Sequence, residues 1–241
     1  MQLDVFFKPG DFPDAAGLTG QTAAVIDVLR ATSSIVTALA AGCRRFLPVE
    51  TLEEAAARKA KLPDALLAGE RRALPIPGFD FGNSPFEYTA AKVAGKTIIM
   101  TTTNGTVALR AARPAAAVYV AAYVNASAVA ERLAADGRDA VLLCAGTRGR
   151  FSLEDMLCAG LIADRLAATA ELSDTALAAA AAYRGFKADV AAYVARSSHG
   201  SYLLTCGFAA DIEYCLTADR FTIVPVYDGE FVTLPAKPGC S

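Results

Sequence analysis

Short apolar runs alternate with longer segments of helical pattern through the first part of the chain, up to Cys144. The runs Leu3–Phe7, Thr22–Val28, Arg45–Val49, Ala65–Gly69, Thr97–Thr102, Ala117–Tyr123 and Ala140–Cys144 read as strands. They are nearly continuous in apolar residues, which fits burial on both faces and a mainly parallel sheet. Between them, Thr32–Ala41, Leu52–Leu62, Thr106–Ala112 and Ala126–Asp136 have helical composition and length. Strands alternating with crossover helices predict a layered α/β fold.

The pattern changes at Ser152. Residues 152–218 are almost wholly helical in character, with Leu153–Ala168, Asp174–Tyr183, Lys187–Ala195 and Ala209–Leu216 as candidate helices. Ser152 is set to cap the first, with Asp155 three residues on as a capping-box acid. A last strand, Thr222–Val226, and a hairpin-like tail around Asp228-Gly229 follow. Residues 1–241 read as a single domain, with a division into two lobes open and the helix-rich part starting at about 152. Residues 71–87 form a long stretch rich in Pro and Gly, either a lid or a connection.

Composition narrows the class. The chain has 241 residues, enough to bury a sizeable core. It is 54% hydrophobic and 20% charged, the reverse of a disordered chain. A net charge of -2 argues against nucleic-acid binding, which needs clustered Lys and Arg. The start, MQLDVFFKPGD, carries an early acid and no basic region before an apolar one, so no signal peptide is expected. No charge-free apolar run reaches about 18 residues, so no membrane span is expected, and a cytoplasmic protein is. The six cysteines (Cys43, Cys144, Cys158, Cys206, Cys215 and Cys240) form no CxxC pair and sit in apolar sequence. They read as free core thiols of a reducing compartment rather than as a nucleophile paired with His199, the only histidine.

Ligands of open α/β sheets bind beyond the carboxyl ends of the strands, and that rule selects the candidate chemistry. Asp27 ends one strand and could hold a hard cation, while Arg30 and the hydroxyl-bearing helix start at Thr32 and Ser33 suit an anion. Thr32 or Ser33 could equally be a plain helix cap. Thr102, Thr103, Asn104, Gly105 and Thr106 follow another strand and open a helix, the makings of an anion cradle. The P-loop lysine and spacing are missing. After Cys144, Arg148 is placed to clamp an anionic group. Glu154 and Asp155 either bind metal or serve only as acids at a helix start. Glu70, followed by Arg71, is a further acid at a strand end, and His199 is either structural or a proton-transfer group. There is no GxSxG elbow and no HExxH, and Val28 and Leu29 after Asp27 break the DxDx[TV] phosphoaspartate pattern.

Six pieces recur together: Val25–Leu39 (VIDVLRATSSIVTAL), Gly69–Arg71 (GER), Gly78–Pro85 (GFDFGNSP), Thr101–Thr106 (TTTNGT), Cys144–Thr147 (CAGT) with Glu154-Asp155, and Ser198–Gly200 (SHG). In this order, and over nearly the whole chain, they resemble the 2-phosphosulfolactate phosphatases of coenzyme M biosynthesis. Ser33 and Ser34 stand where threonines are expected, and Arg72 where a small residue is usual. Serine keeps the hydroxyl, and Arg72 changes the rim of the pocket. The resemblance implies a three-layer α/β/α fold with a helix-rich C-terminal part. It implies Mg²⁺ and hydrolysis of 2-phospho-3-sulfolactate, a small sulfonated hydroxy acid, to 3-sulfolactate and phosphate. Asp27 and one of Glu70, Glu154 or Asp155 would then hold Mg²⁺. Thr102–Thr106 and the helix start at Thr32 and Ser33 would cradle phosphate. Arg30, Arg71 and Arg148 would divide the phosphate, carboxylate and sulfonate charges. Asn83 and Ser84 of the GNSP piece would join the substrate pocket, and His199 would protonate the leaving alkoxide.

Two rivals remain at this level. A phosphate- or sulfonate-binding protein on the same fold would bind anions without metal dependence or turnover. A nucleotide-dependent transferase using 144–150 as its cofactor loop would bind nucleotide or S-adenosylmethionine. It lacks an acid with a strand before it at about 20 residues beyond the first glycine. The apolar helices of 153–217 leave a homo-oligomer open.

Overall fold

In the computed structural model of the chain, which describes residues 1–235, the strands are β1 (Gln2–Phe6), β2 (Thr22–Ile26), β3 (Arg45–Val49), β4 (Leu66–Arg71), β5 (Leu74–Pro75), β6 (Thr97–Thr101), β7 (Ala117–Ala121), β8 (Ala140–Cys144), β9 (Glu171–Leu172), β10 (Val226–Tyr227) and β11 (Val232–Thr233). They form one 11-stranded sheet in the order β5-β4-β6-β3-β11-β10-β7-β2-β8-β1-β9. The helices are α1 (Ala15–Leu18), α2 (Ala31–Ala40), α3 (Leu52–Lys61), α4 (Ala90–Val93), α5 (Gly105–Ala111), α6 (Ala126–Asp136), α7 (Leu153–Leu166), α8 (Asp174–Phe186), α9 (Val190–Arg196), α10 (Ser198–Thr205) and α11 (Ala209–Leu216).

The strand period of two divides the core. On β2, Ala24 and Ile26 join the apolar cluster that contains residues of α6, α7 and α8. Ala23 and Val25 point the other way, into the cluster of α2 and α5. Farther along the sheet, Leu47, Val49 and Ile99 pack with Ala55 of α3. Helices therefore cover both faces, as the three-layer expectation requires.

The sheet is mixed rather than purely parallel. β1, β2, β7 and β8 pair in parallel, as do β3, β4 and β6. The C-terminal hairpin does not trail at an edge. Its strands β10 and β11 enter antiparallel between β7 and β3 and join the two parallel groups. The expected strand Thr222–Val226 is corrected to Val226–Tyr227. Pro225, which has no N–H, contributes only its carbonyl, accepting from Val120 at 3.0 Å.

Three other expectations are corrected. Residues 71–87 are not all loop, since Arg71 pairs with Leu74 across a two-residue turn and Pro85–Glu87 make a 3₁₀ turn. The helix expected over Lys187–Ala195 begins at Val190, and a separate helix, α10, starts at Ser198. Ser197 caps it by accepting from the Gly200 N–H at 3.0 Å. The Ser152–Asp155 capping box does not form: Ser152 Oγ meets Thr147 Oγ1 at 2.7 Å, and Asp155 turns to other backbone groups.

The five cysteines among the described residues are free, and Cys240 lies outside those residues. Burial pushes the Cys43 and Cys215 thiols up to about 12, which suits core packing and not nucleophilic attack. Among the described residues, no helix is long and apolar enough to cross a membrane.

Candidate active site

A cavity of ≈ 820 Å³ opens beyond the carboxyl ends of β2, β4, β6 and β8. Asp27, Glu70 and Glu154 all line it. Asp27 follows β2 directly and is 6% exposed. Burial pushes its carboxyl from the ordinary 3.8 up to about 7; His199 and the Ala31 N–H oppose this, and Glu70 and Glu154 add to it. Gly105 supports it from behind. A Cβ at that position would lie 2.6 Å from Asp27 Oδ2, so only glycine lets the start of α5 approach so closely.

Glu70 lies near the end of β4. Its Oε1 accepts from the Thr103 N–H and its Oε2 from the Ala73 N–H, each at 2.8 Å. Glu154, in the first turn of α7, is 1% exposed. Its Oε1 meets His199 Nδ1 at 2.7 Å, while its Oε2 is buried with no hydrogen-bond partner. Burial lowers the proton affinity of His199, but the hydrogen bond and charge of Glu154 and the charge of Asp27 outweigh it and raise the imidazole above its usual range. With Nδ1 donating to Glu154, Nε2 is the ring nitrogen left for chemistry.

Cations gather on the rim. Arg72 and Ala73 link β4 to β5 with φ of 55° and 66°, and Arg148 and Gly149 link Thr147 to Arg150 with φ of 53° and 72°. Both are tight two-residue turns with positive φ at each central position, the geometry that hairpins favour. An arginine takes the first central position in each, a conformation strained for a side chain with a Cβ. Gly146 makes room for the second turn, since a Cβ there would lie 2.2 Å from the Arg150 carbonyl oxygen. The Arg148 N–H donates to Asn104 Oδ1 at 2.8 Å, tying this turn to the α5 loop. Arg72, Arg148 and Arg150 line the cavity, and among the described residues none makes an ion pair.

The cavity thus brings together many of the residues singled out in the sequence: Asp27, Arg30, Glu70, Asn83, Thr102, Thr103, Asn104, Arg148, Glu154 and His199. Others lie behind it. Thr32 Oγ1 donates to the Asp27 carbonyl and Ser33 Oγ to the Val28 carbonyl, each at 2.8 Å, so these hydroxyls brace the turn into α2. Thr106 exchanges hydrogen bonds with Thr102. Arg71 turns away, toward Thr101 Oγ1 at 2.9 Å. Ser84 bonds Asp211. Asp155 accepts from the Val28 N–H at 2.8 Å and the Gly146 N–H at 2.9 Å, which fixes the β2 and β8 exits. Arg30 lines the cavity but is committed elsewhere, to Asp211 and the Ala73 carbonyl. Whereas Arg30 and Arg71 are held by other protein groups, Arg72 and Arg150 line the cavity without ion-pair partners among the described residues. Their signal was faint: an Arg-Arg pair and an RGR run beside turns.

The donor set fits a hard cation. Mg²⁺ asks for oxygen ligands, needs only one or two carboxylates, and completes its shell with waters and phosphate oxygens. The desolvated Asp27 and the unpartnered Glu154 Oε2 are oxygens of this kind. The described residues hold no cluster of three or more Asp, Glu, His or Cys set for a metal, so a cation here would take fewer side chains.

A model of the 2-phosphosulpholactate phosphatase family matches residues 7–230. A Clostridium acetobutylicum protein named "Probable 2-phosphosulfolactate phosphatase" is 41% identical over 238 residues, covering 96% of this chain and 100% of its own. One of the same name from Symbiobacterium thermophilum is 44% identical over 230 residues, 93% of this chain and 99% of its own. A third, from Thermotoga maritima, is 46% identical over 213 residues, 88% of this chain and 92% of its own.

Proposed function

The chain belongs to the 2-phosphosulfolactate phosphatase family, and from that premise we propose that it hydrolyses 2-phospho-3-sulfolactate to 3-sulfolactate and phosphate with the help of Mg²⁺. One observation carries the reading. Three buried carboxylates, Asp27, Glu70 and Glu154, form the floor of a cavity whose rim holds three arginines without ion-pair partners among the described residues. The floor carries negative charge that a bound cation would offset, and the rim suits a substrate with several negative charges.

Asp27 with Glu70 or Glu154 would hold the metal. Bound there, Mg²⁺ would neutralise charge on the phosphoryl oxygens. Arg72, Arg148 and Arg150 bind the phosphate, carboxylate and sulfonate groups and orient the ester. His199, held by Glu154, gives a proton to the bridging oxygen as the P–O bond breaks. Water supplies the oxygen that leaves on inorganic phosphate. The pathway served is coenzyme M biosynthesis or another that makes sulfolactate, and the reaction belongs in the cytoplasm.

The test is phosphate release from 2-phospho-3-sulfolactate, with phospholactate and glycerol phosphate beside it. Release favouring the sulfonated ester supports the reading. Equal release from all three keeps the phosphatase and removes sulfonate selectivity. Tight anion binding without release from any would favour an anion-binding protein instead.

A further inference from the structure

Asp211 lies on α11, well outside every motif that builds the site, and is 4% exposed. Its Oδ2 accepts from Arg30 Nη1 at 2.6 Å and its Oδ1 accepts from Ser84 Oγ at 2.8 Å. The path continues inward. Arg30 Nη2 donates to the Ala73 carbonyl at 2.6 Å. The Ala73 N–H donates to Glu70 Oε2, and the Thr103 N–H to Glu70 Oε1, each at 2.8 Å. Arg30 also lies over the Phe208 ring, 3.8 Å from its centroid. A continuous chain of polar contacts thus runs from α11 through the Arg72–Ala73 turn to an acid of the cavity floor and on to the α5 loop.

The chemistry of this chain is lopsided. Arginine keeps its charge wherever it is buried, and Arg30 is 2% exposed, so it must have an anionic partner. It lines the same cavity as Asp27 and Glu70. Without Asp211, those carboxylates are the anions left for its guanidinium to turn to. Such a turn would release the Ala73 carbonyl and occupy oxygens meant for the substrate side.

We infer that Asp211 is a positioning residue for the phosphatase reaction: by holding Arg30 against the Ala73 carbonyl, it fixes Glu70 and the Thr103 loop and keeps the guanidinium off the floor carboxylates. This rests on the phosphatase reading of the site. Arg30 is accordingly a positioning residue and not a substrate clamp.

Two measurements test it. In Asp211→Asn, kcat falls about 10²-fold with KM within about threefold, the pattern of a misplaced group and not of a lost binding contact. In the same variant, free of phosphate and metal, the Ala73 and Thr103 amides exchange at least about tenfold faster, while those of Val25 and Leu142 are unchanged. The paired change Arg30→Met with Asp211→Leu guards against simple unfolding, because apolar replacement of a buried ion pair tends to preserve the fold. It keeps the wild-type Tm and still loosens Ala73 and Thr103. Unchanged protection of those two amides, or a retained kcat in Asp211→Asn, overturns the inference. A wild-type protein that releases no phosphate overturns the functional reading, and the exchange experiment still decides whether the path from Asp211 exists.

Discussion

At the scale of single residues, the site holds groups that are poor for stability and useful for chemistry. Burial lifts Asp27 to about 7, well above the 3.8 of a solvated carboxyl. Between roughly pH 4 and 7 the native state therefore binds a proton that the unfolded chain has already lost. The metal-free protein loses this contribution as pH rises through that window. Asp27→Asn removes the penalty. At pH 8 without metal, its Tm is expected to rise by about 2 °C or more, with the gap closing near pH 4, while phosphate release is lost. A differential scanning calorimetry series against pH reads the first, and a turnover assay the second. Arg148 makes a similar trade, since it holds a conformation with φ of 53° that glycine adopts freely. Arg148→Gly is expected to keep Tm within about 2 °C, because relieved strain offsets added chain freedom. It is expected to raise KM about tenfold or more, the loss of one charge-assisted contact. A large fall in Tm at constant KM would mean that the arginine serves the fold.

At the scale of elements, strand exits and helix starts carry the chemistry. Asp27, Thr102 and the CAGT segment were legible because ligands of open sheets sit where strands end. The roles within a helix start were not legible. Hydroxyls at Thr32 and Ser33 look the same in sequence whether they meet phosphate or brace a backbone carbonyl, and here they brace it. Ser197 was passed over, although it caps the helix that carries His199 in its first turn. Ser197→Ala is expected to lower stability by about 1 kcal/mol. It is also expected to lower kcat severalfold as His199 loosens from Glu154. Urea unfolding and kcat on the same sample check the pair; a stability loss with full kcat would uncouple the cap from the proposed proton donor.

At the scale of the whole molecule, the layered α/β architecture followed from periodicity alone, and its centre did not. Apolar strands and amphipathic helices show themselves locally. The insertion of β10 and β11 between β7 and β3 depends on pairings across the length of the chain, with residues that any edge hairpin would also use. Asp211 was hidden for the same reason, since it lies 181 positions from the Arg30 it neutralises. Arg72 and Arg150 reach the rim only because two tight turns adopt positive φ, which no arginine-containing motif announces. The overall design places buried acids on the floor of the cavity and cations on turns at its mouth. On the proposed function, that charge arrangement would make a metal ion the condition for turnover.

The most direct measurement is therefore phosphate release from 2-phospho-3-sulfolactate by one preparation of the protein, first in EDTA and then with Mg²⁺ restored. The expected result is turnover with Mg²⁺ that falls by at least about 10³-fold in EDTA and returns on re-addition. Full activity in EDTA would contradict the account, because the carboxylate floor would then be accepting a phosphate with no cation to receive it.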